Sequence, residues 1–165
     1  MTPQEYMEKA YAQAKIAERK DEVPVGAVIV DRKSGKIISR AHNLTEHAQN
    51  CTCHAEISAI QKACKKLKTN RLRETDLYVT LEPCAMCAAA ISFARIENLY
   101  FGAYDKKNGA VVNGVKFYEN ETCHHKPQVF GGVEEEKCGV ILQRFFKNKR
   151  NKKIILTKSG VFDKL

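Results

Sequence analysis

Leu77-Tyr78-Val79-Thr80-Leu81-Glu82-Pro83-Cys84-Ala85-Met86-Cys87 is the stretch whose reading decides the fold of this chain. Its first five residues are β-branched, aromatic or aliphatic, the make-up of a buried strand. Glu82-Pro83 interrupts that run, and the alanine-rich residues 85–95 favour a helix. Pro83 is expected in the first helical turn, where a missing N–H costs nothing. Cys84 and Cys87, three apart, then share one face of that helix.

The same alternation continues on both sides. Upstream, residues 4–20 set Tyr6, Ala10, Ala14 and Ala17 at helical spacing. Val23-Pro24-Val25-Gly26-Ala27-Val28-Ile29-Val30 reads as a buried strand entered through a proline. Asp31-Arg32-Lys33-Ser34-Gly35-Lys36 has hairpin-turn chemistry and returns the chain through Ile37-Ile38. A helix is expected from about residue 54 to 67. Downstream, Leu99-Tyr100-Phe101-Gly102 predicts a fourth strand, residues 103–128 a long loop with a short helical turn, and 129–133 an edge strand. Residues 134–149 begin with acids and end with bases, the polarity of a helix, and 151–165 read as a basic tail. Strands alternating with helices predict an α/β fold whose sheet is covered on both faces.

Composition narrows the chemistry. A chain of 165 residues fits one domain, here 1–150 followed by the tail. No apolar run reaches the roughly 18 residues that span a bilayer, and the first residues lack the apolar core of an export signal. The expected compartment is therefore the cytoplasm, with no membrane partner. There, seven cysteines argue for metal ligation or catalysis rather than a disulfide framework. The formal charge of +9 points toward a polyanionic partner without proving one.

Two motifs carry the chemistry, His54-Ala55-Glu56 and Pro83-Cys84-Ala85-Met86-Cys87. A Cys-x-x-Cys alone fits a structural zinc half-site or two buried small residues, and a lone His-x-Glu carries little information. Together, with proline before the first cysteine and each motif opening a helix after a strand, they supply the three protein ligands of a catalytic zinc and leave a fourth position for water. His54 and Glu56 are two apart, a spacing that diverges on a regular helix. They converge only if His54 sits at the helix start, and Glu56 is then left to serve the water rather than the metal. Zinc lowers the pKa of its water toward neutrality, and a carboxylate can move the released proton.

These motifs resemble those of the zinc nucleobase deaminases, the cytidine-deaminase-like superfamily, and within it the bacterial tRNA adenosine deaminases. The resemblance runs from about Tyr6 to Arg150 through Glu22-Val23-Pro24-Val25-Gly26-Ala27-Val28, Asn43, His54-Ala55-Glu56 and Leu81-Glu82-Pro83-Cys84-Ala85-Met86-Cys87-Ala88. It continues in Arg95-Ile96, Phe101-Gly102-Ala103, Asp105, Gly109, His125 and Phe145-Phe146. It implies a three-layer αβα fold with a five-stranded mixed sheet, one Zn²⁺ per chain, a homodimer, and hydrolysis of adenosine to inosine at the first anticodon position of a tRNA stem-loop. By the same resemblance His54, Cys84 and Cys87 match the ligands, Glu56 the proton shuttle and Asn43 a hydrogen-bonding partner of the flipped nucleotide. The Gly26-Ala27 backbone is expected to line the base pocket, with Asp105 and His125 near the RNA.

The chain also departs from the family pattern. Asn50-Cys51-Thr52-Cys53 stands where the family usually writes Asp-Pro-Thr-Ala, and Tyr104 replaces a common arginine. Cys53 as a fourth ligand would close the position that water needs. Cys64 and Cys138 fall on helical patterns and read as buried small residues, while Cys123 and His124 receive no role. Lys147, Lys149, Arg150, Lys152 and Lys153 crowd the end of the last helix, and Lys65, Lys66, Lys68, Arg71 and Arg73 follow the histidine-bearing one. Each cluster is either a phosphate-binding surface or a solvated face. Most aromatic residues belong to the core, with Phe145 and Phe146 as candidates to stack on a loop base. Deamination of free bases or nucleosides uses identical chemistry and is the alternative function. A non-catalytic zinc-stabilised RNA-binding module is disfavoured by Glu56, since a structural site needs no proton shuttle.

Overall fold

The computed structural model describes residues 1–158, and their elements follow the alternating order. They run α1 (Pro3–Arg19), β1 (Gly26–Asp31), β2 (Ile37–His42), α2 (Ala55–Leu67), β3 (Thr75–Leu81), α3 (Ala85–Ala94), β4 (Asn98–Ala103), a 3₁₀ turn (Phe117–Glu119), β5 (Gln128–Phe130) and α4 (Glu135–Lys158). The five strands form one sheet in the order β2-β1-β3-β4-β5. β1 pairs antiparallel with β2 and β3, whereas β3–β4 and β4–β5 are parallel, so the sheet is mixed. α1 and α4 cover one face and α2 and α3 the other, completing three αβα layers.

Small residues set how closely the helices approach. α1 begins with a capping box between Thr2 and Glu5 and turns Ala10, Ala14 and Ala17 inward, all fully buried. Against that alanine face lies Gly26, where a Cβ would stand 2.1 Å from the Ala10 carbonyl oxygen. β4 makes the same concession to α4: a Cβ at Gly102 would meet the Cys138 sulfur at 2.6 Å. Cys138 is thus a buried packing residue, as expected, and Cys64 is half-buried. Tyr6 of α1 tilts onto Tyr78, and Tyr78, Tyr100 and Phe130 stack in a row across β3, β4 and β5, with successive ring centroids 5.0, 4.4 and 4.6 Å apart.

Several boundaries differ from expectation: β1 begins at Gly26 rather than Val23, and β5 spans Gln128–Phe130 rather than 129–133. α3 starts at Ala85 with Cys84 as its N-cap, so Pro83 precedes the helix instead of sitting in its first turn. The cap residue keeps the extended backbone geometry usual for an N-cap. α4 does not stop near Lys149 but continues to Lys158. Residues 150–158 contain no Gly or Pro to end it, and Lys, Arg, Ile and Leu sustain a helix. Of the tail expected over 151–165, residues 151–158 therefore extend α4, and 159–165 lie outside the described residues.

Candidate active site

The two motifs meet because both are helix starts at one end of the sheet. His54 is the N-cap of α2 (φ −70°, ψ 155°) and Cys84 the N-cap of α3 (φ −72°, ψ 173°). Neither side chain caps its own helix, which leaves both free to turn outward. His54 Nδ1 lies 3.7 Å from Cys84 Sγ and 3.5 Å from Cys87 Sγ. Tetrahedral zinc with ordinary Zn–N and Zn–S bonds requires N···S edges of about 3.6 Å. The donor set fits that ion in chemistry and spacing, with all three ligand atoms within 4.8 Å of one another. Cys51 is exposed and Cys53 half-buried, and neither joins the group.

Electrostatics in the triad favour a bound cation. A hydrogen bond from the Cys87 thiol, with further help from His54, lowers the Cys84 pKa to about 4 despite burial. The same bond, together with burial, pushes the Cys87 thiol far up. His54 is raised by its hydrogen bond to Cys84. One thiolate is already preferred, and a dication replacing the shared protons would stabilise the second.

Glu56, in the first turn of α2, is 4% exposed, and burial raises its pKa to about 7. It opens with His54 and Cys84 onto a cavity of about 1070 Å³. Val23 and Val25, just before β1, form one wall; Asn43 and Thr45, just after β2, form the next. Leu81 and residues 103–108 line it as well, and Leu142, Gln143, Phe146 and Arg150 bring α4 to its lining.

Several expected contacts fall elsewhere. Gly26 and Ala27 are not on the cavity wall; Val23 and Val25 stand there instead. Gly26 faces α1 and gives its N–H to Thr80 Oγ1, and Ala27 is fully buried in the sheet. His125 is also absent from the lining, its Nε2–H donating to the Ile96 carbonyl at 2.6 Å. Phe145 is buried in the core, edge-on to Phe146, because consecutive helical residues point about 100° apart. Phe146 lines the cavity and is 44% exposed. Asp105 lines it too, although its Oδ1 accepts the Lys107 and Asn108 amides. Among the basic residues, Arg150 reaches the rim and Lys149 pairs with Asp21 at 2.6 Å. Lys147, Lys152 and Lys153 are exposed along α4, off the lining. Cys123 is buried beside Ser92, and His124 is exposed.

Two carboxylates without an assigned role in the sequence reading organise the cavity loops. Glu82, 2% exposed, accepts the amides of Asp105, Val111, Val112 and Asn113 and the Asn113 side chain. Glu22, fully buried, accepts the Glu46 and His47 amides, the His47 ring and the Thr45 hydroxyl. Burial alone would raise both, but these donors hold each below the usual carboxylate pKa. The available signal was slight: each acid adjoins a valine or leucine and lies within two residues of a proline.

A family described as MafB19-like deaminase matches residues 1–150. A tRNA-specific adenosine deaminase of Agrobacterium fabrum is 52% identical over 145 residues, covering 88% of this chain and 94% of the relative. One of Bacillus subtilis is 48% identical over 148 residues, covering 90% and 91%. A solved structure from work on A-to-I editing by tRNA:A34 deaminases at the wobble position of transfer RNA superposes with a TM-score of 0.81. It is 51% identical and covers 84% of this chain and 99% of that one.

Proposed function

The chain belongs to the MafB19-like deaminases and, among them, to the tRNA-specific adenosine deaminases, and from that premise we infer that it hydrolyses adenosine to inosine at the first anticodon position of tRNA. The observation that carries the mechanism is the cavity into which His54, Cys84 and Glu56 open together. His54, Cys84 and Cys87 hold one zinc ion. When bound, zinc supplies a Lewis acid that makes water nucleophilic near neutral pH.

Glu56 is the proton carrier. Its carboxyl accepts the proton shed by the attacking water and passes it to the ring nitrogen, then carries the remaining proton of the newly added hydroxyl to the departing amine. Water and adenosine thus become inosine and ammonia. Burial raises the Glu56 pKa from the usual carboxylate range and brings its two protonation states closer together, which suits it to both roles. Asn43 holds the flipped nucleotide, and the apolar walls from Val23, Val25 and Leu81 exclude water from around the base. Phe146, Asp105 and Arg150 serve the neighbouring nucleotides at the rim.

A tRNA substrate gives the charge of +9 a use and supports a cytoplasmic site of action. None of the helices among the described residues is long and apolar enough to cross a membrane. The second partner is another copy of the chain. Its support is the outer face of α3, where Ala85, Met86, Ala89, Ala90 and Phe93 remain at least partly exposed, Phe93 by 72%. Incubating zinc-loaded protein with an adenosine-34 tRNA and analysing the digested nucleosides by mass tests the reading: inosine must appear at the expense of adenosine.

A further inference from the structure

Asn43 is fixed through its backbone before its side chain is considered. Its amide donates to the Val25 carbonyl at 3.0 Å, and the next amide, Leu44, donates to Cys53 at 3.0 Å. What remains free is the rotation of the carboxamide, and the neighbouring groups decide it. Thr45 Oγ1 lies 3.3 Å from Glu22 Oε2 and 3.3 Å from Asn43 Nδ2. An ionised carboxylate only accepts, so the single Thr45 hydroxyl proton goes to Glu22. Toward Asn43 the hydroxyl can then only accept, and only the NH₂ end of the carboxamide can face it. Asn43 Oδ1 has no hydrogen-bond partner among the described residues, and it is not among the sealed, unpartnered atoms. It is therefore the acceptor left open to the cavity that Asn43 lines.

We propose that Thr45 and Glu22 form a relay that locks the rotation of the Asn43 carboxamide, which makes them positioning residues for the target nucleotide. Directionality runs from the buried carboxylate outward: Glu22 orients the Thr45 hydroxyl, and Thr45 orients Asn43. Glu22 is anchored independently by the Glu46 and His47 amides at 3.2 and 2.8 Å, so the relay starts from a fixed point. A locked carboxamide offers Oδ1 and its second amide proton as one acceptor and one donor. That pair is suited to a base edge carrying both functions, and a freely flipping amide would present the inverted pair half of the time. The proposal rests on the deaminase reading for its activity arm alone.

Glu22 is a poor probe, because its loss would also leave buried amides without a partner. Thr45→Val keeps the shape and removes only the hydroxyl. On zinc-loaded protein acting on an adenosine-34 tRNA, it should lower kcat/KM about tenfold, the equivalent of one ordinary hydrogen bond. Thr45→Ser should restore most of that. In an Asn43→Ala background, Thr45→Val should cost nothing further, because there is no carboxamide left to orient. A purely structural role for Thr45 would give the same loss in both backgrounds, and that result overturns the proposal. The Asn43 side-chain amide signals of ¹⁵N-labelled protein give an arm independent of turnover. One proton should exchange slowly in wild type and Thr45→Ser but not in Thr45→Val; equal exchange in all three overturns the relay even if no tRNA is deaminated.

Discussion

His54 Nδ1 lies 3.5 Å from the sulfur of Cys87, although 33 positions separate the two residues in the chain. The contact exists because α2 and α3 start side by side on one face of the sheet, each with a ligand as its N-cap. Purified protein should accordingly carry about one zinc per chain. Cys87→Ala should lose it, as should Cys84→Ala, and thermal unfolding should shift downward because helix starts that shared a metal become independent. Metal content by elemental analysis checks this, and full occupancy in both variants would refute the ligand assignment.

Glu56 is set apart from those ligands by its task. Glu56→Gln preserves size and should keep both zinc and fold. Turnover on tRNA should nevertheless fall by at least about 10²-fold, the usual cost of a lost acid–base group. Single-turnover kinetics beside a zinc assay would separate the two effects.

Glu82 should govern acid stability. Its pKa is depressed in the folded chain, so its contribution is fully present above the unfolded value near 4.5 and is lost as pH falls through the lower folded value. Glu82→Gln should cost about 2–4 kcal/mol at pH 7, because one oxygen of Gln cannot satisfy donors gathered for two. The difference from wild type should narrow below pH 4. Urea unfolding midpoints at the two pH values read this directly; a gap that widens in acid would contradict the assignment.

Arg150 and Lys149 are adjacent in sequence and should behave differently. Arg150 lines the cavity rim, whereas Lys149 is engaged by Asp21 on α1's exit. Arg150→Ala should weaken tRNA binding and reduce the log–log salt slope by about 0.7–0.9. Lys149→Ala should leave the slope closer to wild type and, as an exposed pair, change stability by under about 1 kcal/mol. Filter binding across a salt series distinguishes them.

The parts legible in the sequence were those written within a few residues. His54-Ala55-Glu56 and Pro83-Cys84-Ala85-Met86-Cys87 each carry residue type and helix position together, so the triad and the order of strands and helices could be read directly. Facing was harder. Gly26 carries no sign of whether its missing Cβ admits a ligand or the Ala10 carbonyl, and the structure chooses the carbonyl. Phe145 and Phe146 differ only in helical phase, which the packing of α4 sets. Glu22 and Glu82 bind amides more than 20 residues away, and no local pattern announces those partners. The end of α4 was hidden by charge: a basic run resembles a solvated tail, yet its residues are competent helix formers.

Substrate choice separates an anticodon deaminase from an enzyme of free bases and nucleosides. Zinc-loaded protein should be given an intact adenosine-34 tRNA and, separately, free adenosine, cytidine and guanine, with ammonia release and position-resolved mass analysis of the RNA as readouts. The expected result is inosine at the first anticodon position, with the free compounds turned over poorly. Efficient ammonia release from a free base or nucleoside, with the tRNA left unchanged, would contradict the account.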